Sequence, residues 1–293
     1  MNVFFSIIIP TYNRAEFITA TIQSVLNQTF ADFEILVVDD GSTDPTEDIV
    51  SAISDKRVRY FKKENEERSI ARNFGVKQAL GNYVGFLDSD DKFYPDHLQK
   101  AYALVKSNEF PEVAHLGFEI INTTGKITAR NKALDENIPK RMLDENILCV
   151  NTIFIRRDIA LQFPFPHHHL AVISEDWCLF MKLIARFPVY YDNSVTCAIL
   201  EHDQRSLRSI DPDKLIASTF IMFDELKKDP VFLKRFKNKV GYFFSNQLTF
   251  VSLVLALSKN RKYDSLKFLI QAVRYDAKVI VRKRFLAAIR HLV

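Results

Sequence analysis

The sequence predicts an α/β fold: a Rossmann-like, mostly parallel sheet flanked by helices, with a helical C-terminal appendage. Three observations predict it. Apolar, β-branched runs alternate with helically spaced stretches through the first hundred residues, polar clusters follow three of those runs, and from Asp211 onward only helical spacing remains.

The elements follow in order. Phe4 to Ile9 is a continuous apolar run of the kind buried on both faces of a parallel sheet. Ala15 to Gln28 has helical spacing, with Phe17, Ile18, Ile22, Val25 and Leu26 on its apolar face. Glu34 to Val38 predicts a second strand, Thr46 to Ser54 a second helix and Val58 to Phe61 a third strand. Ser69 to Leu80 reads as helix, ended by Gly81, and Tyr83 to Leu87 as a fourth strand. Strand–helix alternation implies right-handed crossovers. Beyond Asp96 the pattern loosens into a helix over 96–107, strands near 113–121, a polar stretch over 122–147, a strand over 150–155 and a helix near 174–186.

Composition narrows the class. The chain has 293 residues, 47% apolar and 26% charged, which suits a folded domain with a sizeable core and excludes a disordered or fibrous chain. Cys149, Cys178 and Cys197 form no CxxC pair, so reduced, buried thiols in a cytoplasmic protein are expected. No signal peptide is read in the first residues. The longest apolar stretch, Leu248 to Leu257, is too short to cross a bilayer. Net charge is +4, but residues 259–293 hold ten Lys or Arg against two Asp, a local +8 that leaves −4 for the rest. Such a tail suggests an anionic partner surface.

Open parallel sheets bind ligands beyond the carboxyl ends of their strands. Those ends carry Pro10-Thr11-Tyr12-Asn13-Arg14, Asp39-Asp40-Gly41-Ser42 and Asp88-Ser89-Asp90-Asp91. Three carboxylates within four residues repel one another, and a hard divalent cation such as Mg²⁺ or Mn²⁺ is their natural partner. A solvated acidic turn is the plain alternative. Asp39 or Asp40 can accept hydrogen bonds from a base or a ribose, while Ser42, Thr43 or Asp44 can cap a helix. A nucleotidyltransferase would need a Gly-rich triphosphate loop, and with only seven Gly none follows the first strand.

Together, Ser6 to Arg14, Val37 to Asp44, Arg68-x-x-Ala71-Arg72-Asn73-x-Gly75, Gly81-x-Tyr83 and Phe86 to Asp91 resemble family 2 of the inverting glycosyltransferases, which have the GT-A fold. The likeness is close over about residues 4–100 and weaker to about 210. It implies a metal-dependent enzyme that moves a sugar from a nucleoside-diphosphate donor, a UDP-sugar, to a hydroxyl acceptor. Such families build bacterial surface polysaccharides and glycolipids. It implies a nucleotide-sugar-binding half over residues 1–105, an acceptor-binding half over 106–210 and a helical basic region over 211–293. A non-catalytic nucleotide-sugar-binding scaffold or sensor of the same fold is the alternative.

The resemblance also implies roles. Tyr12 and Asp40, with Asp39 beside them, match residues that hold the base; Pro10, Thr11 and Arg14 match the pocket rim, and Arg68 a basic residue near base and diphosphate. Asp90 matches the direct metal ligand, Asp88 the acid nearer the ribose, with Ser89 between them, and His202 a third metal ligand. Asp88 counts with the metal set as well. Arg72 and Asn73 fit a structural anchor as well as a ligand contact. Asp176, in Ser174-Glu175-Asp176-Trp177, matches the catalytic base, with Glu175 and Trp177 as acceptor-side residues; taken bare, this is a helix start with favourable acids. Arg205 is within reach of a diphosphate, and His167-His168-His169 reads as a loop and not as a metal cluster.

The expected partners are the nucleotide sugar, Mn²⁺ or Mg²⁺, and a saccharide or lipid-linked saccharide acceptor; no nucleic acid is expected. On a helix over 278–293, Val281, Phe285, Ala288, Ile289 and Leu292 would line one stripe, flanked by Lys278, Arg282 and Arg290. That stripe suits the inner face of an anionic membrane, packing on the body, or pairing with a second subunit in a homodimer.

Overall fold

The computed structural model describes residues 3–202 and 210–292, which form two compact units. One comprises residues 3–138, 147–169 and 187–202; the other comprises 139–146, 170–186 and 210–292.

The first unit runs β1 (Phe5–Thr11), α1 (Ala15–Leu26), β2 (Phe33–Asp39), α2 (Thr46–Ser51), β3 (Val58–Lys62), α3 (Arg68–Gln78), β4 (Tyr83–Phe86), β5 (Lys92–Phe93), α4 (His97–Ser107), β6 (Val113–Asn122) and β7 (Ile127–Arg130). A short helix, α5 (Ile138–Arg141), leads out of it. It resumes with a 3-10 turn (Val150–Thr152), β8 (Ile153–Arg156) and α6 (Arg157–Gln162). Helix α7 (Glu175–Ile184) belongs to the second unit, and β9 (Val189–Glu201) completes the first.

The sheet order is β3-β2-β1-β4-β8-β6-β9-β5, with β7 on β6. Strands β3, β2, β1 and β4 are parallel, as expected. Beyond β4 the sheet is mixed: β8 runs antiparallel to β4 and β6, β9 runs parallel to β6, and β5 and β7 are antiparallel additions. Every residue of β1 and β2 is buried, which explains their unbroken apolar runs. Gly75 lets α3 lie directly on β1, since a Cβ there would fall 2.5 Å from Ile8 Cγ2.

The long strand β9 is not apparent from periodicity. Asp192-Asn193-Ser194 interrupts its apolar pattern where the register with β6 shifts between His115 and Phe118. Gly117 accommodates that irregularity, because a Cβ there would lie 2.8 Å from the carbonyl oxygens of Asn193 and Ser194.

The second unit adds α8 (Pro212–Lys227), α9 (Pro230–Arg235), α10 (Val240–Leu257), α11 (Lys262–Tyr275) and α12 (Lys283–Leu292). Asp211 and Asp229 cap α8 and α9, each followed by Pro at the first helical position. Helix α10 packs on α8, α11 and α12. Residues Lys237–Leu257 are long and apolar enough to span a membrane, more than the stretch from Leu248 suggests, yet 61% of the apolar window is buried in the protein. Ser245, Asn246, Gln247, Thr249 and Ser252 are buried with it, and Ser252 is clasped to Ser265 of α11 at 2.8 Å, as in a core helix. The single helix expected over 278–293 is broken. Asp276 accepts from Lys278 N–H and pairs with Arg282, so Ala277–Val281 forms a 3-10 turn before α12. Of the expected stripe only Ala288 is buried; Val281 is 75% exposed.

Candidate functional site

The loops after β1 and β2 are stitched together. Asn13 adopts φ 50°, a left-handed conformation that Asn tolerates, and its Oδ1 accepts from Thr43 N–H at 2.8 Å. Asn13 N–H donates to Ser42 Oγ at 2.9 Å. Asp44 Oδ2 accepts from Ala15 N–H at 2.9 Å, so this acid serves the first turn of α1 as well as the start of α2 through Thr46. Gly41 makes the tight turn at φ 85°. Pro10 and Thr11 are buried at the end of β1, and Thr11 C=O accepts from Asp40 N–H. Tyr12 stands 46% exposed, leaving its ring open for stacking.

Asp39 and Asp40 are buried and fully engaged. Asp39 accepts from Ser42 N–H at 2.7 Å and from Tyr60 Oη at 2.5 Å. Burial, then the bond to Asp39, pushes the Tyr60 hydroxyl well above the usual tyrosine range. Asp40 accepts from Lys63 Nζ at 2.8 Å and from the N–H groups of Glu66 and Glu67 at 3.1 and 2.8 Å. Burial works against the Lys63 ammonium, but its bonds to Asp40 and Glu66 prevail and raise its pKa. By fixing 63–67, Asp40 sets the start of α3, whose first residue is Arg68.

The turn after β4 fans its acids in three directions. Asp88 Oδ1 accepts from Arg72 Nη2 at 2.6 Å; Arg72 is 1% exposed and lies over the Phe165 ring. Asn73 holds both backbone groups of Phe165 through its amide, so Arg72 and Asn73 act as anchors here. Ser89 is buried, and its carbonyl accepts from Thr21 Oγ1. Asp91 accepts from Asn151 Nδ2 at 2.6 Å and from Leu200 N–H at 2.8 Å. Asp90 points elsewhere: its Oδ2 lies 3.0 Å from His202 Nε2 and 3.6 Å from Arg14 Nε. Arg14 thus meets the acidic turn. His202 is buried and stacked on Phe17 of α1 at 4.6 Å between ring centroids.

A carboxylate oxygen and an imidazole nitrogen facing one another form a donor set that Mn²⁺ or Mg²⁺ accepts, with phosphate oxygens completing the coordination. Among the described residues no group of three His, Cys, Asp or Glu gathers around one point, so the protein itself offers this pair. Asp88 is turned to Arg72 instead. Arg205 lies outside the described residues. His167, His168 and His169 are exposed, with the last two rings stacked at 4.8 Å.

In the second unit, Glu175, Asp176 and Trp177 open α7. Glu175 is buried and Asp176 half-buried. Asp176 Oδ2 accepts from Asn146 Nδ2 at 3.1 Å, and its Oδ1 accepts from Trp177 N–H at 2.6 Å. The Trp177 indole N–H donates to Met142 C=O, and its ring meets Phe243 edge-on. Trp177 therefore anchors residues 139–146 against α7 and α10.

Asn151, Lys63, Thr21 and Asn146 were not singled out from sequence. Each is a polar residue in an ordinary context; only the fold brings Asn151, Lys63 and Asn146 to an acid and Thr21 to the backbone of the acidic turn.

Comparison with known proteins bears on this arrangement. The glycosyl transferase family 2 profile matches residues 6–170. An uncharacterized glycosyltransferase of Rickettsia felis is 35% identical over 184 residues, covering 62% of this chain but only 30% of its own length, so the chain spans under a third of that relative. The UDP-Glc:alpha-D-GlcNAc-diphosphoundecaprenol beta-1,3-glucosyltransferase WfgD of Escherichia coli is 34% identical over 183 residues, covering 61% of this chain and 69% of WfgD. Among solved structures, S. aureus TarS 1-349 in complex with UDP-GlcNAc superposes with a TM-score of 0.75 at 22% identity, over 99% of this chain and 88% of that one.

Proposed function

The chain belongs to glycosyl transferase family 2 and has the GT-A fold, and from that premise we propose that it transfers a sugar from a UDP-sugar to a hydroxyl of a saccharide or lipid-linked saccharide, with inversion at the anomeric carbon. The observation that carries this reading is the convergence of Asp90 and His202 at 3.0 Å on the carboxyl edge of the sheet, beside the stitched loops of Tyr12 and Asp39-Asp40. Asp90 and His202 would hold a Mn²⁺ or Mg²⁺ ion. When bound there, the cation neutralises charge on the diphosphate. Tyr12 offers a face to the base, Asp39 and Asp40 fix the loop that frames it, and Arg14 and Arg68 bring positive charge toward the diphosphate.

Asp176 is the proposed base. The acceptor oxygen forms a bond to the anomeric carbon as the bond from that carbon to the diphosphate oxygen breaks. The acceptor proton passes to Asp176, and the electron pair leaves with UDP. The Asn146 amide orients the Asp176 carboxylate and leaves it able to accept that proton. We expect Asp176→Asn to retain UDP-sugar binding while turnover falls by about 10² or more, the range for a lost general base. Comparing kcat with donor affinity by calorimetry checks this; near-normal turnover would remove Asp176 from that role.

The likeness to WfgD supports an acceptor on a lipid carrier and a place in bacterial surface polysaccharide or glycolipid synthesis. The second unit supports an anionic bilayer as partner. Tyr263, Leu266 and Ile270 share one face of α11 and are exposed, as are Val281, Leu286 and Ile289, among the basic residues of the tail. The full chain should float with anionic vesicles at low salt, and a Tyr263→Ser, Leu266→Ser, Ile270→Ser variant should not. Failure of the wild type to float, with concentration-dependent dimers instead, would assign this face to a second copy.

A further inference from the structure

We infer that Asn151 is a positioning residue that sets the geometry of the acidic turn and, through Asp91, the place of His202. It is 2% exposed, in the 3-10 turn that leads into β8. Its Oδ1 accepts from Asp88 N–H at 3.0 Å, and its Nδ2 donates to Asp91 Oδ2 at 2.6 Å. One carboxamide thus spans the turn from its first acid to its last. The other oxygen of Asp91 accepts from Leu200 N–H at 2.8 Å, two residues before His202. The chain of bonds runs from Asn151 through Asp91 to the end of β9. Asp90 and His202, which face one another at 3.0 Å, stand on the two strand ends that this chain joins.

The amide meets both demands at once. Asp88 N–H needs an acceptor and the Asp91 carboxylate needs a donor, which Asn supplies from one planar group. An Asp at 151 would lose the donor and bring a further negative charge against Asp91; a Leu would remove both hydrogen bonds, to Asp88 N–H and to Asp91 Oδ2. The 3-10 turn is itself anchored. His115 Nε2 accepts from Cys149 N–H at 3.0 Å and lies 3.0 Å from Thr152 Oγ1, and burial pushes the His115 pKa down to about 3, so the ring stays neutral. A rigid base under Asn151 is what a positioning role requires.

The inference rests on the metal-dependent reading of Asp90 and His202. Its test is calorimetry of UDP with and without Mn²⁺ on the wild type, Asn151→Leu and the milder Asn151→Ser, with Phe154→Leu as a control for core destabilisation. The Asn151 variants should raise the Mn²⁺ concentration for half-maximal enhancement of UDP binding by about tenfold or more, as loss of a ligand-orienting partner does. Metal-free UDP affinity should change little, and the control should keep the wild-type Mn²⁺ dependence. If Asn151→Leu does not fold, Asn151→Ser alone carries the comparison. An unchanged Mn²⁺ dependence in the Asn151 variants, with enhancement present in the wild type, would overturn the inference alone. No enhancement in the wild type would overturn the metal reading and this inference with it.

Discussion

The turns after β2 and β4 flank the same strand, β1, and both carry consecutive acids. In the first, every carboxylate is consumed by the protein: Asp39 by Ser42 and Tyr60, Asp40 by Lys63 and the amides that start α3. In the second, Asp88 and Asp91 are consumed by Arg72, Asn151 and Leu200, and Asp90 is left facing an imidazole and a more distant guanidinium. Similar sequence signals thus serve different ends. One acidic turn fixes the loops around it; the other uses two acids for its own shape and presents the third.

The two turns also rest on supports of opposite pH sensitivity, and the larger effect lies on the acid side. His115, under the second turn, and His97, stacked on Phe93, are buried, and burial pushes both down to about 3. The unfolded chain binds their protons near pH 6.5, so their neutral burial stabilises the protein fully above that pH. The contribution is lost as pH falls toward 3, at about 1.4 kcal/mol per pH unit for each histidine. Urea unfolding should therefore show a loss of about 3–4 kcal/mol between pH 7 and 5, with His115→Gln reducing the slope by about one proton. A flat profile over that range would separate His115 from the account.

The smaller effect is alkaline. Tyr60 is held protonated by burial and by Asp39, so its contribution is complete below pH 10 and declines above it. Tyr83 and Tyr94, pushed up to about 12 chiefly by burial, act in the same sense. Tyr60→Phe should reduce the slope above pH 10 by less than one proton, because the half-buried hydroxyl is partly screened by solvent. An unchanged slope would mean that Asp39 does not depend on Tyr60.

The parallel strands, their helices and the three polar strand ends were legible because buried parallel strands and amphipathic helices leave strong local periodicity. Strand β9 was not, because Asp192-Asn193-Ser194 sits at a register shift that only its pairing with Gly117 explains. The acids were legible as a group, but not their division of labour. That Asp88 would turn to Arg72, and Asp91 to Asn151, depends on residues 16 and 60 positions away. The sequence offers Ser42, Thr43 and Asp44 alike as helix caps; that Asp44 reaches the first turn of α1 as well as Thr46 depends on a contact between loops. The periodicity of the tail continues through Arg282 and predicts one helix, but the pairing of Arg282 with Asp276 favours a turn.

The most direct test of the central claim is calorimetry of UDP binding to the wild type and Asp90→Ala, each with and without Mn²⁺. Asp90 is the one acid of its turn that faces His202, so the wild type should bind UDP more tightly with Mn²⁺ and Asp90→Ala should bind with the same affinity in both conditions. A full Mn²⁺-dependent gain in Asp90→Ala would contradict the account.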